Sequence, residues 1–173
     1  LYKKTGFFAC NGILFNHESP RRGTSFVTRK IVEAAVKIKK NQQDCLFVGN
    51  LYSKRDWGYA KEYVKCMWQM LQLKKPENFV IATGKTYTIK FFLETVFKNL
   101  NIHIHWRGKG LNEVGIDKSN KKIIVKIDPY YFRPLEVSYL RGSSKKAKKL
   151  LKWEPKVDIK ELIKIMVNAE LKL

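Results

Sequence analysis

The stretch Phe7-Phe8-Ala9-Cys10-Asn11-Gly12-Ile13-Leu14-Phe15 limits the choice of fold more than any other part of the chain. It is a nearly continuous apolar run, interrupted only at Asn11 and Gly12. Its length and its Phe, Ile and Leu content predict a strand buried on both faces, as in a parallel sheet. Hydrophobicity then stops abruptly. Asn16, His17, Glu18, Ser19, Pro20, Arg21, Arg22 and Gly23 follow in a row. In open α/β sheets, ligands bind just beyond the carboxyl ends of the strands. A buried strand running into a polar, cationic loop and then into a helical pattern therefore reads as a ligand site. Two guanidiniums suit a ligand that carries phosphate. The competing reading is an ordinary basic turn, and the strand in front of the loop favours the site.

Further on, residues 25–39 place Val27, Ile31, Ala34, Ala35 and Ile38 on one helical face. Lys30 lies at the edge of that face, where it can point into a cleft. Residues 45–49 read as a short strand. Asp56 is expected to cap a helix over residues 59–73. In that helix Trp57, Ala60, Val64, Met67, Trp68 and Leu71 keep helical spacing and read as core. Arg55, just before the cap, would sit where a helix N-terminus favours an anion. Residues 78–84 predict another buried strand, and Thr88 a cap for a helix carrying Ile89, Phe92, Val96 and Leu100. Ile102, Ile104 and Trp106 alternate with His103 and His105. These histidines read as a solvated face, because no third ligand accompanies them. Residues 108–121 read as a polar loop and 122–127 as a strand. The aromatic segment 128–136 holds Arg133 and Glu136, and Pro134 restricts Arg133 to an extended backbone. Two helices close the chain, the last opening on a capping-box pattern, Asp158-x-x-Glu161.

Composition narrows the partners. Lys and Arg number 35 against 15 Asp and Glu, a net charge of +20. The lysines are spread over helix faces and loops rather than gathered in a stripe, apart from Lys145-Lys146-x-Lys148-Lys149, so a nucleic-acid partner is not favoured. No apolar run approaches the ~20 residues that cross a bilayer, and no signal peptide is evident. Cys10, Cys45 and Cys66 lie far apart without metal-ligand spacing, which suggests reduced cysteines and a cytoplasmic setting. The chain opens on Leu1, and residues 1–6 read like the tail of a helix closed by glycine. It is expected to be a piece whose start lies upstream.

Taken in order, these segments resemble the GDP-mannose 4,6-dehydratases of the extended short-chain dehydrogenase/reductase superfamily. The resemblance is carried by Asn11 to Gly23 and by Phe26-Val27-Thr28-Arg29-Lys30-Ile31. It continues through Gly49-Asn50-Leu51 with Lys54-Arg55-Asp56-Trp57-Gly58, and through Val80-Ile81-Ala82-Thr83-Gly84. Tyr131-Phe132-Arg133-Pro134-x-Glu136-Val137 completes it, while Ala147 with Leu150 and Trp153-x-Pro155 is shared more widely among nucleotide-sugar-modifying relatives.

The resemblance implies an α/β chain: the C-terminal part of a Rossmann-type parallel sheet plus a small α/β nucleotide-sugar-binding domain. Residues 1–23 and 57–82 would belong to the former, residues 24–56 and 83–173 to the latter. It implies conversion of GDP-mannose to GDP-4-keto-6-deoxymannose, a step toward GDP-fucose. Bound NADP would take hydride from C4, water would leave across C5 and C6, and hydride would return to C6. His17 and Arg22 would contact NADP. Asn16, Lys30, Arg55, Arg133 and Glu136 would contact substrate, the three cations near the diphosphate and Glu136 at a sugar hydroxyl. Asn50 would lie at the guanosine end. The complete protein would be a homo-oligomer, dimer or tetramer, with no metal and no membrane partner.

The departures define the expectation further. The chain holds no G-x-x-G-x-x-G loop, and no tyrosine is followed by lysine four residues later. The catalytic Tyr, Lys, Thr and Glu are thus expected outside it, and the chain alone is expected to be inactive and to leave an apolar strand edge open. Two alternatives stay open: another epimerase or dehydratase of the superfamily, and a non-catalytic remnant that binds nucleotide sugar. The expectation that joins the site is convergence of Arg22, Lys30, Arg55 and Arg133 on one crevice.

Overall fold

A computed structural model describes residues 6–132 and 137–173. Arg133 and Glu136 lie outside the described residues. In chain order the elements are β1 (Gly12–Leu14), β2 (Asn16–Glu18), α1 (Val27–Lys39), β3 (Leu46–Val48), β4 (Lys54–Arg55), β5 (Trp57–Tyr59), α2 (Ala60–Met70), β6 (Phe79–Ile81), β7 (Tyr87–Thr88), α3 (Ile89–Asn99), β8 (Ile104–Arg107), β9 (Val114–Asp117), β10 (Ile123–Ile127), α4 (Lys145–Leu151) and α5 (Ile159–Leu171).

Two hydrophobic clusters organise them. The larger is built by α1, α3 and α5, which pack on one another around Ile31, Phe92, Phe97, Leu162 and Met166. These helices cover a four-stranded sheet in the order β3-β10-β9-β8. In it β3 and β10 are parallel and the other pairs antiparallel. The smaller cluster holds Tyr63, Cys66, Met70, Phe79, Ile81, Ala147, Leu151 and Trp153. There β1 pairs in parallel with β6, Ile13 opposite Val80. Helix α4 and Trp153, although inside the 83–173 stretch, pack in this second cluster.

Caps and periodicity behave as the residue types demand. Thr88 Oγ1 accepts the Phe91 N–H at 3.0 Å, and Asp158 Oδ1 the Glu161 N–H at 2.9 Å, so both expected N-caps form. Ile102, Ile104 and Trp106 turn inward, and His103 and His105 are exposed. Arg29 and Glu170 pair across α1 and α5 with both side chains mostly buried.

Several expectations need correction. The strand expected over residues 7–15 is only β1, and Phe7, Phe8 and Ile13 are exposed. The cause is lateral: β1 has β6 on one edge and no second neighbour among the described residues. Residues 16–18 form a strand of their own, paired in parallel with β5, so the polar loop begins at Ser19. Asp56 does not cap a helix; Tyr59 precedes α2 without a side-chain cap. Arg55 accordingly lies in β4, outside the helix terminus. Helix α2 carries two apolar stripes. The one against β6 is Tyr63, Cys66 and Met70, whereas Val64 (62% exposed), Met67, Trp68 (61%) and Leu71 face solvent. Spacing alone does not say which stripe meets the sheet. Finally, residues 108–121 are not all loop: β9 lies within them and pairs with both β8 and β10.

Candidate functional site

Where β2 and β5 end beside the first turn of α1, the chain encloses a cleft of about 860 Å³. Its wall takes Asn16 and Glu18 from β2, Lys30 from α1, Asn50 from the loop after β3, and Arg55 and Trp57 from β4 and β5. Alternation along a strand explains the first pair. Asn16 and Glu18, two residues apart, share a face, and His17 points the other way. The His17 ring stacks on Tyr63, with centroids 5.4 Å apart. Its Nδ1 lies 2.9 Å from the Phe15 carbonyl, so Nδ1 carries the donating proton and Nε2 remains to accept when the ring is neutral. Gly58 makes this stack possible, because a Cβ there would stand 2.3 Å from the Tyr63 ring.

The cations are held differently. Lys30 Nζ sits 3.5 Å from the centroid of the Tyr131 ring, at the cleft's aromatic rim. Gly49 lets that rim approach: a Cβ there would lie 2.1 Å from the Tyr131 carbonyl oxygen. Arg55 Nη1 donates to the carbonyls of Lys54 (3.0 Å) and Val137 (2.6 Å), which fixes the guanidinium at the cleft wall. Asn50 Oδ1 accepts the Tyr52 N–H at 2.9 Å, a turn that orients its amide. Trp57 is buried and tilts against Phe92 at 5.2 Å, tying this wall to the larger core.

Asp56 supplies the frame behind Arg55. It is fully buried, and its carboxylate accepts the Thr83 N–H and hydroxyl, the Gly84 N–H and the Gly142 N–H, all within 3.1 Å. One side chain thus pins the end of β6 and the 141–143 loop to the β4–β5 junction.

Arg22 departs from the expected convergence. A turn closed by its N–H on the Ser19 carbonyl carries it behind Glu18, where it stacks 3.5 Å from the Phe26 ring centroid and does not line the cleft. Its Nε is 3.2 Å from Glu18 Oε2 but is not hydrogen-bonded, which leaves a buried cationic donor to satisfy. Burial pushes the Glu18 carboxyl above its ordinary value, opposed by the Thr28 hydrogen bond and by the Arg22 and His17 charges. A guanidinium with an unpaired donor and an imidazole with an open acceptor fit the polar edge of a nicotinamide dinucleotide. Lys30 and Arg55 do converge. Glu18, Phe26 and Tyr131 complete the cleft and were not singled out by sequence. For Glu18 the signal was available in its two-residue spacing from Asn16.

This is the fold of Rossmann-type short-chain dehydrogenase/reductase dehydratases and epimerases. The chain superposes with a TM-score of 0.80, at 16% identity, on RMD from Pseudomonas aeruginosa complexed with NADPH, covering 99% of this chain and 51% of that one. On dTDP-glucose 4,6-dehydratase from Bacillus anthracis in complex with NAD the TM-score is 0.74 at 17% identity, with coverages of 99% and 47%. Within this class, residues 1–166 match the family model described as GDP-mannose 4,6 dehydratase, and the chain belongs to that family. It is 50% identical over 166 residues to the GDP-mannose 4,6 dehydratase of Drosophila melanogaster, covering 96% of this chain and 42% of that protein. The chain thus spans rather less than half the length of that relative. No described helix is long and apolar enough to cross a membrane.

Proposed function

We propose that this chain provides the nucleotide-sugar cleft of a GDP-mannose 4,6-dehydratase and is the C-terminal portion of that enzyme. The observation that carries the reading is the meeting of Asn16, Lys30, Asn50 and Arg55 in one cleft from four separated segments. Lys30 and Arg55 bind the diphosphate of GDP-mannose, a task suited to charge-assisted hydrogen bonds. Asn16 and Asn50 offer amides to the sugar and guanosine ends. Trp57, Phe26 and Tyr131 exclude water around the ligand. Arg133 and Glu136 belong to the same binding set in this reading.

His17, on the face of β2 opposite Asn16, and Arg22, beside Glu18 and Phe26, hold the cofactor, NADP, in this reading. When bound, that cofactor would supply the hydride acceptor and donor for an internal redox cycle converting GDP-mannose to its 4-keto-6-deoxy product. His17 meets it with Nε2, since Nδ1 is committed to Phe15. Arg22 would meet it with its guanidinium, whose Nε makes no hydrogen bond. The groups that move protons at the sugar come from sequence outside this chain, which has neither the Gly-rich loop nor a Tyr-x-x-x-Lys pair. In this division the sheet side takes residues 1–23 and 57–82 together with α4. The substrate side takes 24–56 and the remainder of 83–173, and the clusters depart from this division at Trp153, which packs with the sheet side, and at Trp57, which packs in the larger cluster.

The test is calorimetry and a product assay on the complete gene product with GDP-mannose, UDP-sugars and dTDP-sugars. GDP-mannose alone is expected to bind and turn over. Turnover of a UDP- or dTDP-sugar assigns another member of the superfamily, and binding without turnover assigns a non-catalytic role. Arg55→Ala should weaken GDP-mannose binding by about 1.5–3 kcal/mol, the range for a hydrogen bond to a charged group. Unchanged affinity contradicts the assignment.

A further inference from the structure

Among the described residues Glu18 is the one carboxylate in the cleft wall, and its burial is nearly complete at 2% exposure. A single oxygen, Oε2, serves two partners. It accepts the Thr28 hydroxyl at 2.6 Å and lies 3.2 Å from Arg22 Nε. Thr28 is in the first turn of α1, two residues before Lys30. Arg22 is on the turn that follows β2. A buried carboxylate keeps its charge only while its partners stay in place, because losing either leaves that charge uncompensated. The arrangement therefore ties the position of Arg22 to the position of the helix turn that presents Lys30.

We propose that Glu18 is a positioning residue that couples the two ligands, so that a nicotinamide dinucleotide at Arg22 and a nucleotide diphosphate sugar at Lys30 each strengthen binding of the other. This rests on the assignments of Arg22 and Lys30 made above. Whichever ligand binds first fixes the Arg22–Glu18–Thr28 unit, and the second meets an ordered site. The coupling is reciprocal by linkage. Glu18 touches neither reacting atoms nor cofactor in this scheme and acts only through its two partners.

The test measures GDP-mannose affinity by calorimetry in the complete gene product, with and without saturating NADPH, and the converse titration. In the wild type each ligand should tighten the other by about fivefold or more, the lower end of common coupling factors. Glu18→Gln keeps an acceptor for Thr28 but removes the charge facing Arg22, and should bring that ratio to about one. Thr28→Val cuts the other arm; it should also lower the ratio while leaving NADPH affinity measured alone unchanged. It carries the test if Glu18→Gln fails to fold. A wild type that binds both ligands without coupling overturns the proposal and leaves the proposed function standing, and so does coupling preserved in both variants. A wild type that binds neither ligand overturns the proposed function and this coupling with it.

Discussion

The two hydrophobic clusters are closed to different degrees. The larger is sealed: α1, α3 and α5 turn Ile31, Phe92, Phe97 and Leu162 inward with no measurable exposure. The smaller is packed on one side only. Tyr63, Cys66 and Met70 meet β6, while Val64, Met67, Trp68 and Leu71 on the same helix stand in solvent, and Ile13 of β1 is 58% exposed. A monomeric surface seldom carries so continuous an apolar stripe. The larger cluster is thus closed among the described residues, and the smaller one is not. The cleft sits at the seam, with Trp57 leaning on the closed core and β2 running beside the open one.

Substitutions can break or sharpen this contrast. The largest effect should come from the closed core. Phe92→Ala leaves a cavity beside Trp57 and should cost about 3–5 kcal/mol in chemical denaturation. A cost below ~1 kcal/mol would show that this core is not sealed. Next comes the seam. Asp56→Ala strands the N–H groups of Thr83, Gly84 and Gly142, and should cost about 3 kcal/mol, at the upper end for unsatisfied buried donors. Hydrogen exchange at Thr83, Gly84 and Gly142 should accelerate together, and exchange that stays slow would refute the pinning role.

The open side should respond least. Trp68→Ser should shift the stability of the 173-residue chain by less than about 0.5 kcal/mol, as surface changes do. It should also reduce binding of an apolar dye. A loss as large as that of Phe92→Ala would mean the stripe is covered. A still smaller, pH-dependent effect is expected at Glu18. Burial raises its carboxyl above the ordinary 4.5. A group that holds its proton more tightly when folded adds stability as pH falls through its raised value, and that gain is complete once pH is below 4.5. Between pH of about 7 and about 5 the wild type should therefore gain in melting temperature relative to Glu18→Gln. A gap that moves the opposite way would contradict the desolvated carboxylate.

Much of this was legible in the residues. Thr88 and Asp158 announce their helices through side-chain oxygens that can reach only a first-turn N–H. Lys30, at the margin of an apolar stripe, announces a cationic edge. The abrupt change of polarity after Phe15 points to the run from Asn16 to Gly23, of which Asn16 and Glu18 line the cleft. Legibility failed where tertiary choice decides. The two stripes of α2 have equal claims to the core, and only packing against β6 selects one. Asp56 has the chemistry of a cap, yet four donors from two distant loops claim its carboxylate. Arg22 lies in the loop that follows Asn16 and Glu18, but the turn at Ser19 stacks its guanidinium on Phe26 beside Glu18, so it does not line the cleft. β9 was hidden because it is four residues long and its buried positions, Gly115 and Asp117, carry no apolar side chain.

The central claim is that a cleft drawn from four segments takes a nucleoside diphosphate sugar. Its most direct test is the crystal structure of the complete gene product with GDP-mannose. The diphosphate should lie within hydrogen-bonding distance of both Lys30 Nζ and the Arg55 guanidinium, beneath the Tyr131 ring. A diphosphate seated elsewhere, with those two side chains unmoved and keeping only their contacts to Tyr131 and to the Lys54 and Val137 carbonyls, would contradict it.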